Sequence, residues 1–372
     1  MAEIATCLRT DEIKTACAPQ QTTYVFGPAP YPKALRGDHD DAQQEITVWT
    51  SADVLGIAAM PALHRAICDG IDFHGAGDDS ALPGPHPVRL AAEQALAAWH
   101  NQPAACVFQG AGMAQMLAAL DQGLGGCNII ASHAAFTQTG FDPANPETLT
   151  WALAKADASR PTLIVLDSIG RNDGAIAAVA RICSIAKNHG ARVILDDSHG
   201  VGAFGAEGEG LSEAGVALVY SAGSLGLPVA YVAGQADLVA MVSAHLAGEL
   251  ALAVPLFLLD AVPRAVALIQ RQDEARAKLR RLADDLRAAL SYIGVPVTEA
   301  TSHIVCVQVR NLRQTRLAAS LLRDHYGIAV TAVETAGHEH LRITCGTHHT
   351  ADDIEALSLG LETIATEMGW RA

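Results

Sequence analysis

The sequence predicts an α/β fold: a large domain on a mainly parallel sheet, followed by a smaller C-terminal α+β domain. Three observations predict it. Short apolar runs alternate with amphipathic helical segments, 372 residues exceed what one small core needs, and the element order changes beyond residue 290.

Residues 1–45 show weak periodicity and read as an N-terminal arm. In the large domain (46–290), "AACVFQG" (104–110), "CNIIAS" (127–132), "TLIVLDS" (162–168) and "ARVILDD" (191–197) read as strands. Between the last two, "AIAAVARICSIAKNHG" (175–190) repeats apolar residues at three and four and closes on Gly190 as a C-cap. Strand, helix and strand at this spacing make βαβ units and a buried parallel sheet. "LVYSAG" and "VAYVAG" add two strands, and residues 271–294 read as a long helix with a charged face. From 291 to 372 the order becomes strand "HIVCVQV", helix "TRLAASLLRDHYG", strands "IAVTAV" and "HLRITCG", and a final helix from about residue 350.

Composition narrows the function classes. A formal charge of −15 argues against a nucleic-acid surface, which needs a basic patch. No uncharged apolar run of 18 residues lacks turn signals, so no membrane span is expected. The start, "MAEIATCLRTDEIK", places charges where a signal peptide needs an apolar core, which predicts a cytoplasmic protein. Eight scattered cysteines without C-x-x-C read as reduced thiols, several of them buried.

The informative stretch is "VILDDSHGVGAFGAEGEG" (193–210), an apolar strand ending on two acids and a histidine. Ligands of open parallel sheets bind beyond the carboxyl ends of the strands. Asp196 there would be costly to bury without a positive partner. The plainer alternative is that Asp196, Asp197 and Ser198 cap the strand and turn. "GVGAFG" (200–205) matches G-x-G-x-x-G, yet "AEGEG" does not continue as a helix, so it is not a dinucleotide fingerprint. "HEH" (338–340) and "HH" (348–349) offer imidazoles, with His338 and His340 on one strand face. No cysteine or acid completes a ligand set at a recognisable spacing, and no metal site is assigned. There is no G-x-S-x-G, and Asp197, Ser198 and His199 are too close in sequence for a catalytic triad.

The order of segments resembles a known family. "GAGDDSALPGPHPVRLAAEQALAAW" (75–99), "VFQGAGMAQ" (107–115), "ASHAAF" (131–136), "VLDSIGRNDG" (165–174), "ILDDSHGVGAFG" (194–205) and "LRITCGTHHTADDIEAL" (341–357) follow one another as in the α-oxoamine synthases. These are fold-type I, aspartate aminotransferase-like enzymes dependent on pyridoxal 5′-phosphate (PLP). They join an amino acid to an acyl thioester with loss of CO₂. The resemblance implies that Asp196 faces the pyridine nitrogen, that His199 bonds the ring hydroxyl, and that His133 stacks on the ring and helps move protons. It gives Arg342 the substrate carboxylate, Asp167 the place of the acid in the family's E-G or E-S pair among the cofactor-binding residues, and Gly110, Ala111 and Gly112 the phosphate. It also implies a dimer. The apolar stretch "LAGELALAVPLFLLDAVPRAVALIQ" is a surface expected to need covering.

The departures from the family matter as much. The resemblance expects a lysine at Ala222, where the sequence reads Ser221-Ala222-Gly223. The chain has five lysines, Lys14, Lys33, Lys155, Lys187 and Lys278, none in that segment. The usual phosphate-cup serine and aromatic are missing from "GAG", the usual histidine falls on Arg89, and the family's glutamate becomes Asp167. "LALAVPLF" (250–257) lacks the usual hydroxyl residues. Three readings remain: a divergent protein or pseudo-enzyme holding PLP or its amine form non-covalently, a non-catalytic partner of a lysine-bearing paralogue in a heterodimer, and a working acyltransferase whose lysine was replaced at 222. The expected small-molecule partner carries an amine or carboxylate, with an acyl thioester as a possible second.

Overall fold

The computed structural model describes residues 24–25, 33–36, 44–78, 86–109, 112–132, 140–246, 253–309, 311–335 and 338–370. The chain forms two compact units: Leu55–Gly170 with Ile176–Arg276, and Met1–Val54 with Arg171–Ala175 and Ala277–Ala372. The contact boundary falls at 276/277, inside the long helix, where the sequence reading places it near 290.

The second of these units begins with three N-terminal strands, β1 (Tyr24–Val25), β2 (Lys33–Arg36) and β3 (Gln44–Val48), paired antiparallel in that order. The segment expected to be an arm therefore contains strand pairing.

The larger unit opens with two helices, α1 (Pro61–His74) and α2 (Pro87–Trp99). Each starts on a proline, which suits the first helical turn because its missing N–H has no partner there. The six-stranded sheet follows: β4 (Ala104–Phe108), α3 (Met113–Gly123), β5 (Asn128–Ala131), α4 (Glu147–Leu153), β6 (Thr162–Asp167), α5 (Val179–Asn188), β7 (Arg192–Asp196), β8 (Val216–Ala222) and β9 (Ala230–Gly234). Strand order is β4-β9-β8-β7-β6-β5, with β9 running against both neighbours. The predicted strands are all present. The helix expected from 175 starts only at 179, because Ala177 N–H is used by the Ser168 carbonyl and Ile176 bridges Ile169.

The strands are almost wholly apolar because both sheet faces are covered. Ile194 faces a core with Met116, Leu120, Leu238 and Val242, while Val193 and Leu195 face Leu149, Ile182 and Ile185. We expect Ile194→Ala to cost about 2–5 kcal/mol in urea unfolding, because a fully buried side chain leaves a cavity that α/β packing cannot close.

Two helices complete the unit, α6 (Ala236–Leu246) and α7 (Leu256–Gln270). α7 packs on α1 and α2 and buries eight residues from Leu256 to Ile269. Gly70 of α1 allows the close approach, since a Cβ there would lie 3.1 Å from the Phe257 Cα. Much of the apolar stretch expected to need a partner is thus covered within the chain.

The other unit continues with α8 (Asp273–Tyr292), β10 (Ile304–Gln308), α9 (Leu312–Tyr326), β11 (Ile328–Ala329), β12 (Thr331–Thr335), β13 (His338–Thr344) and α10 (Ala351–Met368). β13 lies between β10 and β12, antiparallel to both, while β11 adds parallel to β3. The single strand expected at "IAVTAV" is therefore two, shared between two sheets. Residues 171–175 belong here: Gly174 sits at φ 72°, and its carbonyl accepts from Ser302 Oγ at 2.7 Å. No helix among the described residues is long and apolar enough to cross a membrane.

Candidate functional site

The sheet's parallel strands bring their carboxyl ends to one edge, where Asp167 of β6 lies in register with Asp196 of β7, and Asp196 with Tyr220 of β8. The Tyr220 ring stacks on Phe108 of β4, with centroids 6.4 Å apart.

Asp196 is 7% exposed. Its Oδ1 accepts from the Ser198 N–H at 3.1 Å and from the Ser198 hydroxyl at 2.6 Å. The same hydroxyl accepts from the Ala222 N–H at 3.1 Å. Ser198 therefore ties the acid to the strand end where the resemblance expects a lysine. Ala222 is the last residue of β8, and Gly223 beyond it sits at φ 76°, a left-handed conformation that glycine adopts without strain. Neither supplies an amine.

Three lysine side chains fall among the described residues. The Lys155 ammonium sits 4.2 Å over the Trp151 ring, and Lys187 occupies the last turn of α5, beside the start of β7. The Lys278 ammonium donates to the Thr347 carbonyl at 2.6 Å. Lys14 and the Lys33 side chain lie outside the described residues.

Of the other expected cofactor residues, His199 is half-buried in the turn after Asp196, and Asp167 N–H donates to Ser132 Oγ at 3.3 Å. Gly112 caps α3, with its N–H donating to Gln115 Oε1 at 3.2 Å. Its φ of −78° does not demand glycine, and a Cβ there would meet nothing within 4 Å. Gly110, Ala111 and His133 lie outside the described residues. Arg89, where the family's histidine is expected, is a clamp on the edge strand. Its Nη1 donates to the Val107 carbonyl at 2.7 Å while Glu93 accepts from Val107 N–H at 3.2 Å.

Arg342, in the other unit, sits on β13 opposite Cys306 and Thr331. Its Nη1 donates to the Arg171 carbonyl at 2.8 Å, while its Nε is buried with no hydrogen-bond partner among the described residues. Burial pulls its pKa below the usual guanidinium value. It forms no ion pair with a carboxylate among the described residues.

Of the histidines weighed for a metal, His349 has another duty. His349 stacks on Trp49 at 3.6 Å, accepts from Gly346 N–H at 3.0 Å, and reaches the Val48 carbonyl at 3.2 Å. Burial lowers its pKa to about 3, so it is a neutral latch with both nitrogens in use. Among the described residues no group of three or more His, Cys, Asp or Glu is placed to hold a metal ion. Cys106, Cys306 and Cys345 are buried, with thiols pushed up to about 12, and read as inert packing groups.

Two features of the site escape the sequence. Asp197 is fully buried, which its glycine neighbours Gly200 and Gly210 signal in retrospect. A polar chain also runs under the end of β8. His100 Nε2 meets the Tyr231 hydroxyl at 2.9 Å, and Ser221 Oγ meets Ser224 Oγ at 2.7 Å. Burial lowers His100 to about 4 and raises the Tyr231 phenol, so neither is a ready acid or base near neutrality. Partners 131 residues apart leave no local signal.

Comparison with known proteins gives a consistent answer. Residues 144–358 match the family model for aminotransferase class I and II. The chain is 29% identical over 358 residues to the erythroid-specific mitochondrial 5-aminolevulinate synthase of Mus musculus, covering 88% of this chain and 61% of that protein. It thus spans about three fifths of that relative's length. It is 27% identical to 5-aminolevulinate synthase 2 of Cereibacter sphaeroides, covering 91% of this chain and 90% of the relative. The solved serine palmitoyltransferase of Sphingomonas wittichii superposes with a TM-score of 0.83 at 20% identity, over 100% of this chain and 97% of that one. The 8-amino-7-oxononanoate synthase of Francisella tularensis gives 0.71 at 19% identity, over 87% and 98%. The chain belongs to the aminotransferase class I and II family, with the fold-type I fold of PLP-dependent transferases and the α-oxoamine synthases among its relatives.

Proposed function

We propose that this chain is a divergent α-oxoamine synthase-like protein that binds PLP without a covalent tether and has lost lysine-dependent condensation. The observation that carries the reading is the pairing of a buried, oriented Asp196 with a strand end, 222–223, that offers no amine. A carboxyl group fixed by two donors suits a protonated pyridine nitrogen. When bound, PLP supplies an electron sink for bonds at a substrate's α-carbon. Asp196 would keep the ring nitrogen protonated, and His199 would hold the ring hydroxyl. Backbone N–H groups at the start of α3 would take the phosphate, with Gly110 and Ala111. No group at 222 carries protons to and from the substrate, the second task of the family's lysine.

Arg342 favours a ligand with a carboxylate, such as an amino acid, because its desolvated guanidinium holds Nε without a partner among the described residues. An acyl thioester as second substrate rests on the relatives' chemistry alone. A cytoplasmic homodimer is the assembly we assign; a heterodimer with a lysine-bearing paralogue is its competitor. Sedimentation of the purified chain at micromolar concentration separates them, since a monomer alone would point to the missing paralogue.

The function is tested by titrating the purified protein with PLP, followed by calorimetry and by absorbance between about 300 and 500 nm. We expect saturable binding at one site per chain, with no protein-linked imine band. Absence of binding would sink the cofactor reading.

A further inference from the structure

The second acid of "DDSHG" has no part in the cofactor reading, yet it is the more deeply buried of the two, at 0% exposed. Its N–H donates to the Tyr220 carbonyl at 2.8 Å, which pins it to β8. Its carbonyl accepts from Gly200 N–H at 3.0 Å and Val201 N–H at 2.9 Å. Its Oδ2 accepts from Leu211 N–H at 2.7 Å, fourteen residues further along the chain. One side chain thus joins the two ends of a loop that contains no helix or strand.

The glycines of the stretch are explained by the same carboxyl. A Cβ at Gly200 would stand 2.9 Å from Asp197 Cγ, and one at Gly210 would stand 2.8 Å from it, each overlapping a carboxylate oxygen. Real Cβ atoms do not approach so closely, so the two glycines form a slot cut to the acid. The loop tip has its own fixings. Glu209 accepts from Glu207 N–H at 2.8 Å, and the buried Arg276 donates to the Ala206 carbonyl at 3.1 Å and the Ile269 carbonyl at 2.8 Å.

We propose that Asp197 is the positioning residue of the cofactor cradle: its buried carboxyl closes the 197–211 loop and so fixes the direction in which Asp196 and His199 leave β7. The proposal rests on the PLP reading for its purpose, but not for its geometry. A loop of this length without a ladder opens locally unless its ends are joined. Asp196 precedes Asp197 directly and His199 follows it by two residues, so play at its backbone becomes play at both.

The ionisable groups facing Asp197 are Asp196 beside it, Glu209 from the loop and the Tyr231 phenol from β9, with the Ser168 hydroxyl as a neutral neighbour. Burial, with Asp196 and Glu209, raises its carboxyl to about 7. The folded chain therefore holds a proton that the unfolded chain releases near pH 4. The contribution of this group to stability is full below that value and is lost as pH rises through about 7.

The test compares wild type, Asp197→Asn, Asp197→Leu and Asp196→Asn as full chains. Amide exchange in 198–211, PLP affinity and thermal unfolding are followed from pH 5.5 to 8.5. Asp197→Leu removes the acceptor and should speed exchange across the loop and weaken PLP by about tenfold each, the worth of one buried hydrogen bond. Asp197→Asn keeps an acceptor, restores both, and flattens the fall of stability with pH. Asp196→Asn should weaken PLP while leaving loop exchange unchanged. Wild-type exchange in Asp197→Leu would overturn the proposal. If the leucine variant does not fold, a wild-type pH profile as flat as that of Asp197→Asn would overturn it instead. Faster loop exchange in Asp197→Leu, with no PLP bound even by wild type, would uphold the loop anchor and remove only the cofactor reading.

Discussion

Asp196→Asn lowers PLP affinity by about two to three orders of magnitude, the cost of removing one partner from a buried charge pair. An amide of the same shape keeps the Ser198 contacts but cannot balance a protonated ring nitrogen. The local structure should therefore survive while binding does not. Ser198 is the internal control, because its hydroxyl links Asp196 Oδ1 at 2.6 Å to the Ala222 N–H at 3.1 Å. Ser198→Ala leaves the charge in place and frees its orientation, so a smaller loss is expected, about tenfold or less. Calorimetric titration of the three proteins checks the order. Equal affinity in wild type and Asp196→Asn would mean that the acid does not face the ring.

Gly210→Ala unfolds the chain at markedly lower denaturant, with an expected loss of about 3–5 kcal/mol from two additive causes. Gly210 sits at φ 97°, where an L side chain is strained, and its Cβ would press on Asp197 Cγ at 2.8 Å. The two causes separate in a double-mutant cycle. Truncation in Asp197→Ala removes the clash but not the strain, so the pair should cost less than the sum of the single changes. Strict additivity, measured by urea unfolding, would show that the slot between the glycines plays no part.

The core strands were legible because burial on both faces leaves an apolar run ending at a polar edge, as Val193 to Asp196 does. Asp196 itself was legible because an acid at that end stands out against the apolar residues before it. The helices α1, α2, α6 and α7 are less marked in the sequence, and α7 is apolar on so much of its surface that it reads as an exposed patch. Its partners α1 and α2 lie about 160 to 200 residues earlier, beyond any local pattern. Separation in sequence likewise hides the His100–Tyr231 pair and the latch of His349 on Trp49. Asp197 is hard to read for a different reason. Its acceptor role depends on Leu211, and its burial depends on two glycines whose purpose shows only when the loop has closed.

The central claim is that PLP binds here without a bond to the protein. It is tested most directly by borohydride reduction of the PLP-saturated chain, followed by intact mass measurement and peptide mapping. The account predicts an unmodified mass, with the cofactor released on gel filtration in denaturant. A pyridoxyl group fixed to Lys14, Lys33, Lys155, Lys187 or Lys278 in stoichiometric yield would contradict it, and would show that a lysine distant in sequence serves the site.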